Sequence, residues 1–427
     1  MIRWRIAALV LVIAGCDKPP PEPLENATPS PNASIFPAPL SSIAQPAAEL
    51  PTTRPASSAI AGKTPPADAA AVVPEALRGD QPPDDDSLTQ RELQGVTLEA
   101  EWHYPDTMPG PKGPEVNVAG VEAARRLTGA RMTIDLASVG RMRVTFDSRA
   151  LPLVRGAEIR ARSDLHGHLL VWPNGTQYRV LPPGAVRTLL GERRVDAVPL
   201  VRAQSAARGE GARRSGFATK KWDLETRTGK LSLEQAKIPG AGEGGVLLCR
   251  FLAEMVAIDP SAAPCSSDEA PLRAQFVWPE GGSVAFEVTS IAERVEFSAA
   301  QLLVPPAGGE FTPAQLPPSS SGVFLTREEL AAFRLRPLEL PTAHTLGAPD
   351  EGVVLYNGTD SLRYAFVDAV PVAWVAPNHD QPILGLPRGR YVFQWRTFLG
   401  DAVDPPTIVE LPARVTIGVA VDAGRDR

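Results

Sequence analysis

Short runs in which apolar and polar residues alternate recur between residues 95 and 300 of this chain. Six of them are RMRVTFD (141–147), AEIRARS (157–163), TQYRVL (176–181), ATKKWDLET (218–226), AQFVWP (274–279) and SVAFEVTSI (283–291). A period of two places successive side chains on opposite faces of a strand, and β-branched and aromatic residues favour that conformation. Turn sequences such as Pro-Asn-Gly at 173–175 separate the runs. The region 95–300 is therefore predicted to be a β-rich domain.

Three stretches of this region have the period of a helix instead. They are GVEAARRLTG (120–129), GAVRTLLGERR (184–194) and GVLLCRFLAEMVAI (245–258). In the third, Leu248, Phe251 and Met255 belong to an apolar stripe with helical spacing. We predict a mainly β fold, with a curved antiparallel sheet or half-barrel and a few short helices against one face. This arrangement resembles the open half-barrels of periplasmic lipoprotein carriers, which implies an apolar groove lined by that stripe.

Tight β patterning returns near the C-terminus. GVVLYNGTD (352–360), RYAFVDAVPVAWVAP (363–377), GRYVFQWRTF (389–398) and TIVELPARVTIGVAV (407–421) predict four or more strands. We expect a small Ig- or PEGA-like β-sandwich over 346–427. The resemblance to PEGA-type surface modules is carried by Asp368, Pro377, Leu386, Gly389 and Tyr391, although Ala369 stands where that family prefers glycine. It implies interaction rather than catalysis.

The N-terminus predicts a lipid anchor. Arg3 and Arg5 precede the ten-residue apolar run at 6–15, which is too short to span a hydrocarbon core of about 30 Å. Ile-Ala-Gly-Cys at 13–16 resembles the lipobox of bacterial lipoproteins. The resemblance implies a signal peptide over 1–15 and lipid attachment at Cys16, at the inner or outer membrane of a bacterial cell envelope. An ordinary secretory signal or a short membrane anchor is the alternative.

Two segments are rich in residues that break regular structure. Residues 16–94 are dominated by Pro, Ala, Ser and Thr, and such a segment buries too little apolar surface to offset its ordering entropy. We predict a disordered tether, in which no fold holds the carboxylates of Asp84, Asp85 and Asp86. Residues 301–345 are predicted to be a linker.

A short helix is expected within that linker. Thr326 and Glu329 have the spacing of a capping box, in which each side chain satisfies a free backbone N–H at the helix start.

Charge narrows the choice of partners. The formal net charge is −6, whereas proteins that bind nucleic acid carry clustered positive charge. We therefore predict no nucleic acid partner. The expected partners are the membrane, through the lipid, and an envelope protein, cell-wall polymer or lipid.

Residues 202–221 are basic and poor in apolar residues. They are interpreted as a solvated mobile loop, or as a contact for anionic envelope polymers or lipid phosphates. In the second case Arg213, Arg214, Lys220 and Lys221 would pair with phosphate or carboxylate groups.

Aromatic residues of the C-terminal module form a second candidate binding surface. Trp374, Tyr391 and Trp395 alternate with arginines. Exposed aromatics beside arginines are typical of a recognition patch. The alternative is that these rings fill the core of the sandwich.

Three cysteines are present, and Cys16 is assigned to the lipid. Cys249 and Cys265 remain as a pair in an oxidising compartment, which predicts a disulfide between them.

The sequence DLHGHLLVW contains the best candidate for a metal site. On a strand, Asp164, His166 and His168 would point to one face, and two imidazoles with a carboxylate can hold zinc. Two histidines near a plain turn are the alternative, and no metal is predicted.

Other signatures of chemistry are few. Residues 240–245 fit G-x-G-x-x-G before a helix, but Pro239 interrupts the incoming strand and no repeated βαβ pattern surrounds them. We interpret them as a glycine loop and predict no cofactor. The chain contains no G-x-S-x-G, Walker, H-E-x-x-H or C-x-x-C motif.

The predicted function is that of a non-catalytic envelope lipoprotein that binds or scaffolds a partner. A carrier of lipid or lipoprotein, using an apolar groove in 95–300, is the first alternative. A metal-dependent protein at residues 164–168 is the second.

Overall fold

A computed structural model describes residues 81–85, 88, 92–105, 116–148, 150–165, 167–175, 177–313, 321–336 and 351–418. The chain divides into two compact units, Met1–Asp68 and Ala69–Arg427. Every described residue belongs to the second unit. The predicted signal peptide, Cys16 and most of the predicted tether therefore lie outside the described residues.

Within these residues, twelve strands form one sheet in the order β12-β6-β5-β4-β3-β2-β1-β11-β10-β9-β8-β7. The strands are β1 (Glu92–His103), β2 (Ala130–Ala137), β3 (Arg141–Phe146), β4 (Glu158–Arg162), β5 (His168–Val171), β6 (Gln177–Leu181), β7 (Ser205–Arg214), β8 (Phe217–Thr226), β9 (Gly229–Lys237), β10 (Glu269–Val277), β11 (Ser283–Ser298) and β12 (Glu310–Phe311). Neighbouring strands are antiparallel except β12, which pairs with β6 in parallel. The two edge strands of the sheet, β12 and β7, do not pair with each other, so the sheet is not closed into a barrel.

The central strand β1, which is not among the predicted runs, alternates between buried and exposed residues. In β1, Leu98, Ala100 and Trp102 are buried, whereas Glu99 between them is exposed. Burying each large apolar side chain contributes about 1.5–3 kcal/mol, so the pattern fixes which face of β1 meets the core. The mainly β, antiparallel fold class is confirmed.

Four helices occur in the described part of the chain: α1 (Val118–Leu127), α2 (Ala185–Glu192), α3 (Gly242–Glu254) and α4 (Arg327–Ala331). Helix α3 packs on β2, β3 and β10. It begins three residues before the predicted start at 245 and ends four residues before the predicted end at 258. None of the described helices is long and apolar enough to cross a bilayer.

Close packing explains the glycines that begin α3. A Cβ on Gly244 would lie 2.7 Å from the carbonyl oxygen of Ala137, and one on Gly245 would lie 2.5 Å from that of Glu269. Larger residues would push the helix off the sheet. The glycine motif at 240–245 therefore has a packing role.

The C-terminal region forms two further sheets within the described residues, in the orders β13-β16-β15-β18-β19 and β17-β14-β20. Their strands are β13 (Gly322–Val323), β14 (Val353–Asn357), β15 (Arg363–Val367), β16 (Val370–Val375), β17 (His379–Ile383), β18 (Gly389–Arg396), β19 (Thr407–Leu411) and β20 (Ala413–Ile417). The capping box predicted for α4 is confirmed, since Thr326 Oγ1 accepts from the Glu329 N–H and Glu329 Oε2 accepts from the Thr326 N–H.

The large sheet and the C-terminal sheets share one hydrophobic core in the described part of the chain. Trp102 of β1 stacks on Phe398, with ring centroids 5.5 Å apart. Trp278 Nε1 donates a 2.6 Å hydrogen bond to the carbonyl of Leu399. The predicted boundaries at 300 and 346 stay predictions.

Asp85 is held by the large sheet, contrary to the expectation that no fold would hold its carboxylate. Its side chain is 1% exposed and accepts hydrogen bonds of 3.1 and 2.8 Å from the Nε and Nη2 of Arg141. Arg162 Nη1 lies 3.3 Å from Asp85 Oδ1, and the Val304 N–H donates to Oδ2 at 3.2 Å. The expectation was wrong because it considered only local sequence, and the arginines come from β3 and β4.

Candidate functional site

The outer edge of β7 is the first candidate site. Residues 202–221 are not a loop, because β7 and β8 form a hairpin whose turn is Ser215-Gly216. Both turn residues have positive φ, +45° and +87°, as a two-residue turn of type I′ requires. The Ser-Gly pair was the sequence signal for this hairpin. Strand β7 pairs with β8 on one side and with no described strand on the other.

Strand β7 is exposed along most of its length. Eight of its ten residues are exposed and the other two are half-buried. An edge of this kind presents backbone N–H and C=O groups that can pair with another extended chain. Beside it, a groove of about 420 Å³ crosses the same end of the sheet. Its lining residues, from β7, β8, β9 and β10, are Ser205, Ala207, Lys221, Asp223, Leu224, Glu225, Lys230, Leu231, Ser232, Gln275 and Val277.

Three of the four predicted basic residues are paired within the chain. Arg214 lies 2.6 Å from Glu234 and 2.9 Å from Glu287. Lys220 pairs with Glu269, and Lys221 lies 3.0 Å from Asp223.

Arg213 is exposed on β7, and in the described part of the chain no carboxylate lies within ion-pair distance of its guanidinium. The predicted cluster of four free cations is therefore reduced to one, because neighbouring strands supply acidic partners to the other three.

A cavity of about 250 Å³ is the second candidate site. It lies between β4, β5 and α3, and the segment after α3 closes one side. Its lining residues are Ala161, Leu165, Gly167, His168, Pro183, Leu200, Leu247, Arg250, Glu254, Asp259, Pro260 and Ser261. Ligand pockets usually range from about 300 to 1,000 Å³, so this cavity suits a small molecule.

Helix α3 supplies one wall of the cavity. Leu247, Arg250 and Glu254 lie at positions i, i+3 and i+7 and therefore share a face. Leu248, Phe251 and Met255 would line the apolar groove of the carrier alternative. Those three are 0–3% exposed and fill the core between α3 and the sheet.

Two ionisable side chains are buried in the cavity wall. His168 is 6% exposed and Glu254 is 1% exposed. Glu254 accepts hydrogen bonds from the backbone N–H groups of Gly184 and Val186, at 2.5 Å for Gly184. His168 Nδ1 lies 3.6 Å from Glu254 Oε2, beyond hydrogen-bond distance, and has no partner among the described residues.

Burial shifts the pKa of both groups toward the neutral form. It lowers the pKa of His168 from 6.5 to about 4, and it raises the pKa of Glu254 from 4.5 to about 7. Desolvation penalises the charged state of each group. Between about pH 4 and pH 7 the pair is therefore an uncharged imidazole beside a carboxylic acid.

The predicted disulfide closes the segment that forms the rim of the cavity. Cys249 and Cys265 are bonded, with Cα atoms 5.7 Å apart, which confirms the pairing. The enclosed segment includes Asp259, whose N–H donates to the carbonyl of Val201 at 2.8 Å. The carboxylate of Asp259 accepts from the N–H and Oγ of Ser261 at 2.8 and 2.7 Å.

Removing the disulfide should lower the free energy of unfolding. For the Cys249→Ala/Cys265→Ala double variant we expect a loss of about 3 kcal/mol, because the crosslink closes a loop of about 15 residues in the unfolded chain. Urea unfolding with and without reductant measures it, and the reduced wild type should match the variant. Equal stability of oxidised wild type and double variant would contradict the expectation.

Of the three candidate metal ligands, the structure describes Asp164 and His168. Asp164 lies in the turn between β4 and β5, where strand alternation does not apply, and its Oδ1 lies 3.1 Å from Arg162 Nε. His168 faces the cavity, and His166 lies outside the described residues. Among described residues no group of three His, Cys, Asp or Glu side chains has the geometry of a metal site.

The predicted aromatic patch is corrected by burial. Tyr391 and Trp395 are 0% and 2% exposed, because β18 turns both rings into the core. Trp374 is half-buried and packs against Phe324 and Tyr364, at centroid distances of 5.7 and 6.1 Å. The alternative, that these rings fill the core, describes the observed packing.

Glu254 is a site residue that the sequence analysis missed. Its signal was present, since it is an acidic residue within the apolar helix GVLLCRFLAEMVAI. A carboxylate in a helix made mostly of apolar residues needs a local partner or a cavity.

No protein-family model matches the sequence, and no curated protein is similar to it. Among solved structures, the chain is similar to a crystal structure of MucB in complex with MucA(peri). The identity is 11%, the match covers 71% of this chain and 70% of that chain, and the TM-score is 0.23.

Proposed function

We propose that this protein is a non-catalytic lipoprotein of the bacterial cell envelope that binds a partner protein through the outer edge of β7. The partner contributes an extended segment that adds a strand to the large sheet. The observation that carries the proposal is the ten-residue strand β7, exposed along its length and paired on one side within the described residues.

Edge geometry favours β7 over the opposite end of the sheet. The other edge strand, β12, has two residues, whereas β7 has ten. Long exposed edges are the surfaces to which extended peptides add, with main-chain hydrogen bonds supplying affinity.

Side chains near β7 support recognition of a protein segment. In strand addition, alternate side chains of the added segment enter pockets on the sheet. The groove beside β7 offers such a pocket, and Val277 in its lining is 41% exposed. Because Arg214, Lys220 and Lys221 are already paired with carboxylates, binding of an anionic polymer by the basic cluster has less support.

The two alternative functions also have less support. The residues predicted to line a lipid groove are packed in the core. Asp164, one of the candidate metal ligands, is paired with arginines at 3.1 and 3.8 Å.

Site-resolved photo-crosslinking in cells that produce the full chain tests the proposal. Benzoylphenylalanine replaces Ser205, Ala207 or Gly209 on β7 in turn, and replaces Ile408 of β19 as the control. Ile408 is 75% exposed on the edge of another sheet. We expect one protein adduct of constant mass from the β7 positions and none from Ile408. Equal crosslinking at all positions, or none at β7, would refute edge binding.

Proline variants of β7 separate edge binding from folding. Ala206→Pro and Ala207→Pro remove adjacent N–H groups, which point to opposite sides of a strand. The variant that keeps the wild-type Tm has lost an outward donor, and it should lose the adduct.

The same cells test the anchor. With Cys16→Ser the chain should move from the membrane fraction to the soluble fraction. Retention in the membrane fraction would contradict lipid attachment at Cys16.

A further inference from the structure

We propose that the cavity beside α3 binds a small, uncharged, mostly apolar molecule that carries one hydroxyl group, such as a short alcohol or a phenol. The hydroxyl is bound by His168 and Glu254. This site is separate from the β7 edge, so the proposal does not depend on the proposed function.

The volume and lining of the cavity indicate the size and the apolar character of the ligand. Most of its wall is aliphatic, from Leu165, Pro183, Leu200 and Leu247 among others. A volume of about 250 Å³ holds a small molecule but not several lipid chains. Burial of apolar surface there would contribute about 25 cal/mol per Å².

The buried pair His168 and Glu254 indicates which polar group the ligand carries. His168 Nδ1 and Glu254 Oε2 are 3.6 Å apart, and Nδ1 has no hydrogen-bond partner among the described residues. An unsatisfied buried polar atom costs about 1–3 kcal/mol. His168 Nδ1 has less than 1 Å² of accessible surface, so a ligand reaches it only when the imidazole ring shifts toward the cavity. A hydroxyl both donates and accepts at one oxygen, so a single hydroxyl can then donate to one of these groups and accept from the other.

Charge at the cavity favours an uncharged ligand. Arg250 contributes a cation to the wall and Asp259 contributes an anion at the rim. Burial keeps His168 uncharged at neutral pH and favours the protonated form of Glu254. A charged ligand would meet one like charge and a desolvated interior, whereas a hydroxyl compound loses little solvation on entry.

A matched pair of probes tests the site. The full-length chain carrying Cys16→Ser is titrated with 4-ethylphenol and with ethylbenzene, which differ by one hydroxyl group. We expect 4-ethylphenol to bind about tenfold more tightly, the difference produced by one net hydrogen bond. Failure of both probes to bind, or equal affinities, would overturn the proposal.

Three variants assign the binding to this cavity. His168→Phe keeps the volume and removes the polar atoms, so the ratio of affinities should fall to about one. Leu200→Trp fills the cavity from a half-buried position, and it should abolish binding of both probes. His103→Phe is the matched control, because the His103 side chain is 38% exposed and pairs with Glu287 outside the cavity.

If His168→Phe does not fold, Leu200→Trp still decides the question. Unchanged binding by a folded Leu200→Trp variant would place the probes elsewhere and overturn the proposal.

Discussion

Replacing Asp85 by Asn should lower the free energy of unfolding by about 3 kcal/mol, the lower end of the range for breaking a buried ion pair. The side chain of Asp85 is 1% exposed, and those of Arg141 and Arg162 are 4% and 7% exposed. Without the carboxylate charge, the two buried guanidinium groups lose the negative charge that offsets the cost of removing them from water. The loss stays near the lower end because Asp164 remains 3.1 Å from Arg162.

Asp84→Asn is the matched control, since Asp84 is the exposed neighbour of Asp85. Surface substitutions of this kind change stability by about 0.5 kcal/mol or less. Urea unfolding of both variants and the wild type gives the comparison. Similar effects of the two substitutions would show that Asp85 does not anchor this segment in solution.

A second pair of substitutions should reveal opposite pH dependences at the cavity. Burial raises the pKa of Glu254 from 4.5 to about 7, so the folded protein holds this proton more tightly than the unfolded chain. The wild type therefore loses stability from this group as pH rises from 4.5 to 7. The Glu254→Gln variant has no titrating group at this position and does not lose this stability. Its free energy of unfolding should therefore rise relative to that of the wild type between pH 4.5 and 7, by about 3 kcal/mol.

His168→Phe should show the reverse trend. Burial lowers the pKa of His168 from 6.5 to about 4, so the unfolded chain takes up the proton first on acidification. The wild type loses stability from this group as pH falls from 6.5 to 4. The His168→Phe variant takes up no proton at this position, so it does not lose this stability. Its free energy of unfolding should rise relative to that of the wild type by about 3 kcal/mol as the pH falls from 6.5 to 4.

In the wild type these two dependences oppose each other over most of the same pH range. The Glu254→Gln/His168→Phe double variant should therefore have nearly the pH profile of the wild type. Free energies of unfolding at several values between about pH 4 and 8 provide the test. Single-variant profiles parallel to the wild type would show that the pair is not buried in solution.

Together these predictions distinguish parts of the large sheet that have different roles. Asp85 ties the end of the predicted tether to β3 and β4, and the cavity adjoins β4 and β5. Strand β7 lies at the far edge in the strand order.

Sequence periodicity predicted where strands and helices lie better than it predicted which residues pack around them. The runs at 141–147 and 157–163 became β3 and β4, and the stretch at 184–194 became α2 with slightly closer bounds. Alternation and helical spacing arise from one-sided burial, which is a local property of the chain. The run at 218–226 predicted β8 of the basic hairpin, but β7 was missed because it has almost no buried side, so its alternation carries no apolar signal.

The sequence by itself determined the mainly β class, the positions of most strands and helices, the capping box at Thr326 and the Cys249–Cys265 pairing. Only the tertiary structure decided which charged groups are paired. Asp85 meets Arg141 and Arg162, and Glu254 meets His168, across separations of at least 56 residues. Likewise Tyr391 and Trp395 became core residues because the sheets around them close over both rings. Burial of a residue by distant strands depends on how the chain folds back on itself, and that information is absent from any local pattern.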